Sequence, residues 1–286
     1  MSFRSNAHTH TTYCDGLSTA RQQIEAAQAL HFVSLGFTGH AMQGFDWRYC
    51  MSVENQRAYR DELLAARAAL TGEGQPLKLY IGLEQDALVP ADEKARNRKN
   101  YDYLLGSTHY FPEPLEGEWV AVDGSPELLS RCIQTRFAGD ALAMAQAYFQ
   151  LHGAYVAQDR PDVIGHFDLV RKYAERIGLD TDSPAYRRAA LDALKQARSG
   201  CPIMEVNTGN IARGYDILPY PAAFLLDAWQ DMGGALTLTS DCHDASLLTC
   251  AFDETLRMLA ARGWKTLRRL GAGESLWDEV EIAACR

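Results

Sequence analysis

FRSNAHTHTTYCDG, residues 3–16, joins a short strand pattern to two histidines. The pattern over Phe3–Ala7 is typical of a buried strand. His8 and His10 follow it two positions apart, and alternate side chains of an extended segment lie on the same side. Two imidazoles that point the same way from the end of a strand indicate a metal site.

The same kind of strand pattern occurs six more times along the chain. Each pattern is short and apolar, as expected for strands that are covered on both faces. These patterns span Val33–Thr38, Leu79–Gly82, Tyr103–Ser107, Asp162–Gly165, Ile203–Val206 and Ala235–Thr239.

Amphipathic patterns that predict helices lie between the strands. Ser18 is the expected N-cap of the first helix, and Ser183 followed by Pro184 is typical of an N-cap and a first-turn proline. Repeated strand–helix units predict a parallel α/β sheet, and seven such units predict a closed or nearly closed TIM-like barrel formed by one domain, residues 1–286. The predicted helices span Ser18–Leu30, Ser52–Leu70, Gly139–His152, Ser183–Ala197, Pro219–Met232 and Phe252–Arg262.

Every predicted strand ends in a histidine or a carboxylate. The C-terminal ends of parallel barrel strands converge on one face, so these groups are expected to meet in space. Imidazole and carboxylate together suit zinc, iron or manganese. His31 and His152, near predicted helix ends, are interpreted as ordinary structural histidines. After the second to seventh strands come His40, Glu84, His109, His166 with Asp168, Asn207 following Glu205 of the sixth strand itself, and Asp241 with His243.

The net charge, the apolar stretches and the cysteine spacing exclude several classes of protein. The net charge is −9, and the chain has no cluster of Lys and Arg of the kind that binds nucleic acid. No stretch approaches the ~20 apolar residues of a spanning helix, and no signal-peptide pattern is present. The seven cysteines are scattered without a C-x-x-C pair. We therefore expect a cytoplasmic protein with a small-molecule substrate and with no nucleic-acid or membrane partner.

Six motifs, in this order and along nearly the whole chain, resemble those of the polymerase and histidinol phosphatase (PHP) family. The fourth motif and the EVNTG of the fifth are similar to stretches of monofunctional histidinol-phosphate phosphatases. The motifs are NAHTHTTYCDG (6–16), GLE (82–84), GSTHY (106–110), GHFDLVRKY (165–173), EVNTGNIARGY (205–215) and TSDCH (239–243).

This resemblance implies a distorted (β/α)7 barrel with two or three divalent transition-metal ions in a trinuclear type of centre. Glu84, Asp241 and His243 are the expected catalytic residues. Arg171 and Arg213 are expected to bind the phosphate, because guanidinium pairs with it bidentately. Asp168 is expected to orient a ligand histidine. The implied ligand sets are His8, His10, Glu84 and Asp241 for one metal; Glu84, His109 and His166 for a second; and Asp15, His40 and His243 for a third.

The resemblance further implies a metal-dependent phosphomonoesterase that hydrolyses L-histidinol phosphate in histidine biosynthesis. Clustered cations would lower the pKa of a bridging water and supply hydroxide near neutral pH. Three alternatives stay open: action on another small phosphate ester such as a nucleotide, a non-catalytic metal-binding module, and an amidohydrolase. The last class typically has a carboxylated Lys at a strand end, and the predicted strands provide none.

The loop Tyr110–Ser125 is the longest one predicted, and loops of this length are often functional. Histidinol carries positive charge, so an acidic side chain in this loop could face it. The same side chains could equally be solvated loop charges. The candidates are Glu113, Glu116, Glu118 and Asp123.

Overall fold

One curled sheet forms the centre of the computed structural model, which describes residues 3–72, 74 and 76–285. Its strands are hydrogen-bonded in sequence order, the first eight parallel and the last one antiparallel. This arrangement confirms the predicted α/β fold with a TIM-like barrel. The strands are β1 Ser5–Asn6, β2 Ser34–Phe37, β3 Lys78–Asp86, β4 Tyr103–Ser107, β5 Val163–Ile164, β6 Ile203–Asn207, β7 Ala235–Thr239, β8 Thr266–Leu270 and β9 Trp277–Glu281.

Helices connect the strands and cover the outside of the sheet. Among the described residues, none of the helices combines the length and the apolar character that crossing a bilayer requires. The helices are α1 Ala20–Ala29, α2 Val53–Gly72, α3 Ala91–Asn100, α4 Pro126–Arg136, α5 Ala141–Asp159, α6 Ala174–Ile177, α7 Pro184–Arg198, α8 Gly209–Ala212, α9 Ala223–Asp231 and α10 Phe252–Ala261.

The barrel closes at the C-terminal ends of its strands. Beyond β1 and β7 the chain pairs once more, with Thr9 opposite Cys242. The amide of His10 donates to the carbonyl of Cys242 at 2.8 Å, and the amide of Cys242 donates to the carbonyl of His8 at 3.0 Å. This pairing brings the histidines that follow β1 next to the residues that follow β7.

At the opposite end of the barrel, β8 lies between the first and last strands of the predicted set. Thr237 of β7 pairs with Arg268 of β8. On the other side of β8, the hydroxyl of Ser34 in β2 donates to the carbonyl of Leu270 at 2.6 Å. The extra strand widens this end, which distorts a seven-stranded barrel.

The N-cap residue in the structure is the predicted one for α7 and a different one for α1. Ser183 caps α7, accepting a hydrogen bond from the amide of Tyr186, as predicted. The predicted cap Ser18 is wrong. Thr19 caps α1 in a reciprocal capping box with Gln22, since only Thr19 has the spacing that this box requires.

Six of these helices and strands were not predicted: the helices α3, α4, α6 and α8 and the hairpin of β8 and β9. The strand segments TLRRL and WDEVE are charged and partly exposed, so they lack the apolar runs of the inner strands. Several predicted elements also have different bounds. The strand β3 runs four residues beyond Gly82 to Asp86, and α5 runs seven residues beyond His152 to Asp159.

His152 lies inside α5 and is fully buried, rather than near a helix end. Its Nδ1 lies 2.9 Å from the hydroxyl of Thr108, and its ring stacks on Tyr148. Burial, reinforced by the charges of His166 and His109, lowers the pKa of His152 to about 3. The folded protein therefore holds this imidazole neutral.

We predict that His152 makes folding stability fall with acidification. Below the ordinary pKa of 6.5 the unfolded chain binds a proton that the folded chain does not, and this continues down to about pH 3. At pH 5 the free energy of unfolding should lose about 2 kcal/mol from this group alone. Denaturant unfolding with EDTA present should show a flatter pH dependence for His152→Gln. The exposed control His31→Gln should behave like the wild type, and a His152→Gln curve parallel to the wild type would contradict the assignment.

Candidate metal centre

Glu84 lies at the centre of the barrel mouth, and its two carboxylate oxygens face different histidines. Oε1 lies 3.0 Å from Nε2 of His166 and 3.4 Å from Nε2 of His109. Oε2 lies 3.0 Å from Nδ1 of His40 and 3.4 Å from Nε2 of His8. The carboxylate thus stands between two sets of imidazoles, which is the position that a bridging ligand needs.

His8 and His10 turn their Nε2 atoms toward each other, 3.1 Å apart. Asp241 Oδ1 lies 3.2 Å from Nε2 of His10 and 3.5 Å from Nε2 of His8. Oε2 of Glu84 lies 3.5 Å from Nε2 of His10. The structure therefore brings together all four residues of the first implied ligand set.

The atoms of this set fit a cation. Nδ1 of His8 lies 2.9 Å from Oε2 of Glu205. A carboxylate only accepts, so Nδ1 carries the proton and Nε2 presents a lone pair when the ring is neutral. That lone pair faces a second imidazole and two buried carboxylates, which is unfavourable unless a positive charge lies between them. Imidazole with carboxylate is a donor set for zinc, iron or manganese.

Asp15 forms a second cluster of donors on the outer side of His10. Its Oδ2 lies 3.1 Å from Nε2 of His243 and 3.7 Å from Nε2 of His40. The rings of His10 and His243 stack, with centroids 4.1 Å apart. The third implied set, Asp15 with His40 and His243, is therefore assembled in the structure.

All nine predicted metal ligands meet at the barrel mouth. Their grouping differs from the implied one: His10 and His40 each belong to two groups, and His166 and Asp241 belong to none of the groups below. Three groups have donor atoms within 4.8 Å of one another: His10, Asp15, His40 and His243; His8, His10 and Glu84; and His40, Glu84 and His109.

The electrostatics of the cluster favour positive charge. Burial by itself would lower the pKa of His8, but the carboxylates of Glu205, Asp241 and Glu84 outweigh it and raise the pKa to about 10. Burial would likewise raise the pKa of Glu84, but surrounding imidazoles, His40 foremost, hold it well below its usual range. The carboxylates are therefore ionised, and the field that stabilises imidazolium also attracts metal cations.

Two further carboxylates hold predicted ligands in place. Asp86 Oδ2 accepts from the amide of His109 at 2.6 Å and lies 3.2 Å from its Nδ1. Glu205 contacts Nδ1 of His8 and accepts from the amide of His166 at 2.6 Å and from the hydroxyl of Thr239 at 2.6 Å. Such partners fix the orientation of an imidazole and the nitrogen that carries its proton.

Asp168 was expected to orient a ligand histidine, but its side chain contacts other residues. Its Oδ2 accepts from Nε of Arg171 at 3.1 Å and from the amide of Ala222 at 2.9 Å. Within the described residues, no hydrogen bond joins this carboxylate to a predicted ligand. Asp168 instead ties the segment after β5 to the start of α9.

Arg213 reaches the cluster through Asp241. Its Nη2 donates to Oδ2 of Asp241 at 2.9 Å, and its Nη1 lies 3.3 Å from Nδ1 of His243. Gly209 makes this approach possible, because a Cβ there would lie 2.7 Å from the guanidinium and 2.9 Å from Cβ of Asp241. Asp241 has φ of 48°, a backbone conformation that Asp adopts more readily than most residues.

Arg171 is not brought to the cluster. Its guanidinium donates to Asp168, to Asp216 Oδ2 at 2.7 Å and to the carbonyl of Pro219 at 2.7 Å. It also lies over the ring of Tyr220, 4.5 Å from the centroid. These acceptors use its donors, so Arg171 holds loops together, and its phosphate-binding role stays a prediction that no contact supports.

A cavity of about 240 Å³ opens beside the predicted ligands. Its size suits a small molecule, and several of its side chains were not predicted to be functional. Two of the residues missed had a signal in the sequence. Lys172 is next to Arg171 in the fourth motif, and Asp86 lies two positions after Glu84, on the same face of β3. Besides predicted ligands and Arg213, its lining includes Gln43, Tyr49, Tyr110, Asp123, Lys172, Tyr173 and Tyr215.

Two solved structures with the same fold carry histidinol phosphatase names. The Listeria monocytogenes protein designated histidinol phosphatase hisK is 18% identical, with a TM-score of 0.75 over 87% of this chain and 99% of that one. Histidinol phosphate phosphatase HISK from Lactococcus lactis, solved with zinc, L-histidinol and phosphate, is 18% identical, with a TM-score of 0.70 over 95% of this chain and 98% of that one. No curated protein matches the sequence.

The curled barrel of this chain has the fold of these two solved structures. More particularly, the chain belongs to the PHP domain family, whose match covers residues 6–209. That match includes all the predicted ligands except the two after β7, which the barrel closure adds to the site.

We predict that Glu84→Gln removes more metal and more activity than His40→Gln. The carboxylate faces both sets of imidazoles, whereas His40 lies on one side of it, so loss of the charge should release ions from both. Wild-type protein should hold two or three ions per chain by elemental analysis, and Glu84→Gln should hold fewer than His40→Gln. Hydrolysis of an aryl phosphate should be lower by at least about tenfold in Glu84→Gln. Equal metal contents in the two variants would rule out a bridging position.

We predict that Glu205→Gln weakens metal binding although Glu205 is not a predicted ligand. The amide nitrogen of Gln would face donors that now contact a carboxylate, and His8 would lose the partner that fixes its proton. Metal affinity, measured by competition with a chelator, should fall about ten- to hundredfold. The exposed α10 variant Glu254→Gln should keep wild-type affinity. Unchanged affinity in Glu205→Gln would show that His8 is oriented by other contacts.

Proposed function

We propose that this protein hydrolyses L-histidinol phosphate to L-histidinol and phosphate, an activity of histidine biosynthesis. The observation that supports it most is Glu84, whose two oxygens face separate sets of imidazoles beside a cavity of small-molecule size. The Lactococcus lactis protein with the same fold was solved with L-histidinol, phosphate and zinc, which supports the choice of substrate and of divalent metal.

The proposed ligands are the nine residues of the three implied ligand sets: His8, His10, Asp15, His40, Glu84, His109, His166, Asp241 and His243. Bound divalent ions would supply positive charge for the phosphate oxygens and lower the pKa of water. Glu84, Asp241 and His243 are the proposed catalytic residues, since their side chains line the cavity.

Arg213 is the proposed phosphate-binding side chain. It lines the cavity, and its guanidinium already lies beside the carboxylate of Asp241 and the ring of His243. A guanidinium that is held in this way loses little freedom when it binds an anion. Its planar donors can therefore orient a phosphate whose other oxygens face the metal cluster.

The proposal predicts a clear substrate preference. Protein loaded with zinc, iron or manganese should be assayed with L-histidinol phosphate, a nucleoside monophosphate and an aryl phosphate. We expect the highest kcat/KM for L-histidinol phosphate, by about tenfold or more, because only this ester places a cation near the phosphate. A preference for the nucleotide would indicate a different small ester, and an absence of turnover with full metal content would indicate a binding module.

A further inference from the structure

Of the four acidic side chains in the Tyr110–Ser125 loop, only Asp123 lines the cavity. Glu113, Glu116 and Glu118 are exposed on the outside of the loop. Glu118 is directed away from the cavity toward Arg131 of α4, 3.1 Å distant. The loop therefore presents a single carboxylate to the space beside the metal cluster.

Several hydrogen bonds fix the position of Asp123. The preceding residue, Val122, donates its amide to the carbonyl of His109 at 2.8 Å, which anchors the loop to a proposed metal ligand. The carbonyl of Asp123 accepts from the hydroxyl of Tyr173 at 3.0 Å and from Nζ of Lys172 at 2.8 Å. The side chain thus projects from a backbone that is held on both sides.

The carboxylate of Asp123 keeps most of its capacity to accept hydrogen bonds. Its one contact with a cation is Oδ2 to Nζ of Lys172, which is long at 3.5 Å. In the part of the chain that the structure describes, no other hydrogen bond reaches this carboxylate. A carboxylate offers about four acceptor positions. It is also charged, because Lys172 and nearby imidazoles lower its pKa although burial acts to raise it.

Lys172, in contrast, already uses part of its donor capacity within the protein. Its Nζ donates to the carbonyl of Asp123 and lies 4.5 Å from the ring centroid of Tyr215 and 5.3 Å from that of Tyr173. These contacts surround the ammonium with acceptors and aromatic faces. An incoming cation therefore finds a free acceptor at this wall, whereas an incoming anion finds an ammonium that is already bound.

We propose that Asp123 binds the ammonium group of the substrate and so selects phosphate esters of amino alcohols over esters without a cation. This inference rests on the proposed function. In L-histidinol phosphate the amine sits on the carbon next to the one that bears the ester oxygen, so it must lie close to the phosphate. Asp123, whose loop is anchored to His109, lies on the cavity wall beside the metal cluster, as this geometry requires.

The test compares two substrates with the metal-loaded enzyme. They are L-histidinol phosphate and its analogue in which hydrogen replaces the amino group. For Asp123→Asn we expect kcat/KM with L-histidinol phosphate to fall about ten- to hundredfold, mainly through KM, as for loss of one charge-assisted hydrogen bond. The rate with the analogue and the metal content should stay close to wild type. Asp123→Glu, which keeps the charge, should recover part of the preference.

Glu113→Gln is the matched control, because it removes an equal charge from the exposed side of the same loop and should change neither substrate. An equal loss on both substrates in Asp123→Asn would overturn the inference and make Asp123 a structural residue of the cavity. A wild-type preference for L-histidinol phosphate that persists in Asp123→Asn would overturn the inference and leave the proposed function standing. Equal wild-type kcat/KM for the two substrates would overturn the inference alone, whereas no turnover of L-histidinol phosphate by the metal-loaded wild type would overturn the proposed function and the inference with it.

Discussion

A buried negative charge at the mouth of the barrel sets the main requirement for the rest of the structure. Glu84 is 2% exposed and lies next to Asp241, which is 6% exposed. Carboxylates taken out of water are costly unless they are paired. Imidazoles arrive from four separate strand ends, so their contacts with Glu84 depend on the whole barrel. The fold and the site therefore depend on each other, because a change at any of these strand ends alters the surroundings of the Glu84 carboxylate.

Closure of the barrel is what makes this convergence possible. An open sheet would leave the residues after β1 and β7 at opposite edges. The pairing of Thr9 with Cys242 joins these edges only at the C-terminal ends, where His10 and Asp241 must meet. At the other end β8 keeps the strands apart, because Ser34 bonds to Leu270 of that strand rather than to β7. The distortion of the barrel thus lies away from the donors.

The sequence predicts well which histidines and carboxylates meet at the barrel mouth, because their positions follow from two local facts: a strand ends, and parallel strands end on one face. It predicts less about the residues that touch those ligands. Glu205 lies within the buried strand β6 and Asp168 follows β5, yet Glu205 contacts His8 while Asp168 contacts Arg171. Which partner each carboxylate finds depends on the course of neighbouring loops. The spacing of residues along the chain does not contain that information.

The loops also give the cavity two regions of opposite charge. Next to the metal cluster, Arg213 adds positive charge that is anchored by Asp241. On the cavity wall that the Tyr110–Ser125 loop forms, the positive charge of Lys172 is engaged by a backbone carbonyl and the ring of Tyr215, which leaves the Asp123 carboxylate with open acceptor positions. A substrate with an anionic and a cationic end matches this polarity, and its reversed orientation would place like charges together. The loops that leave the strand ends can therefore set the direction in which the proposed substrate binds, while the strand ends supply the histidines and carboxylates of the candidate metal centre.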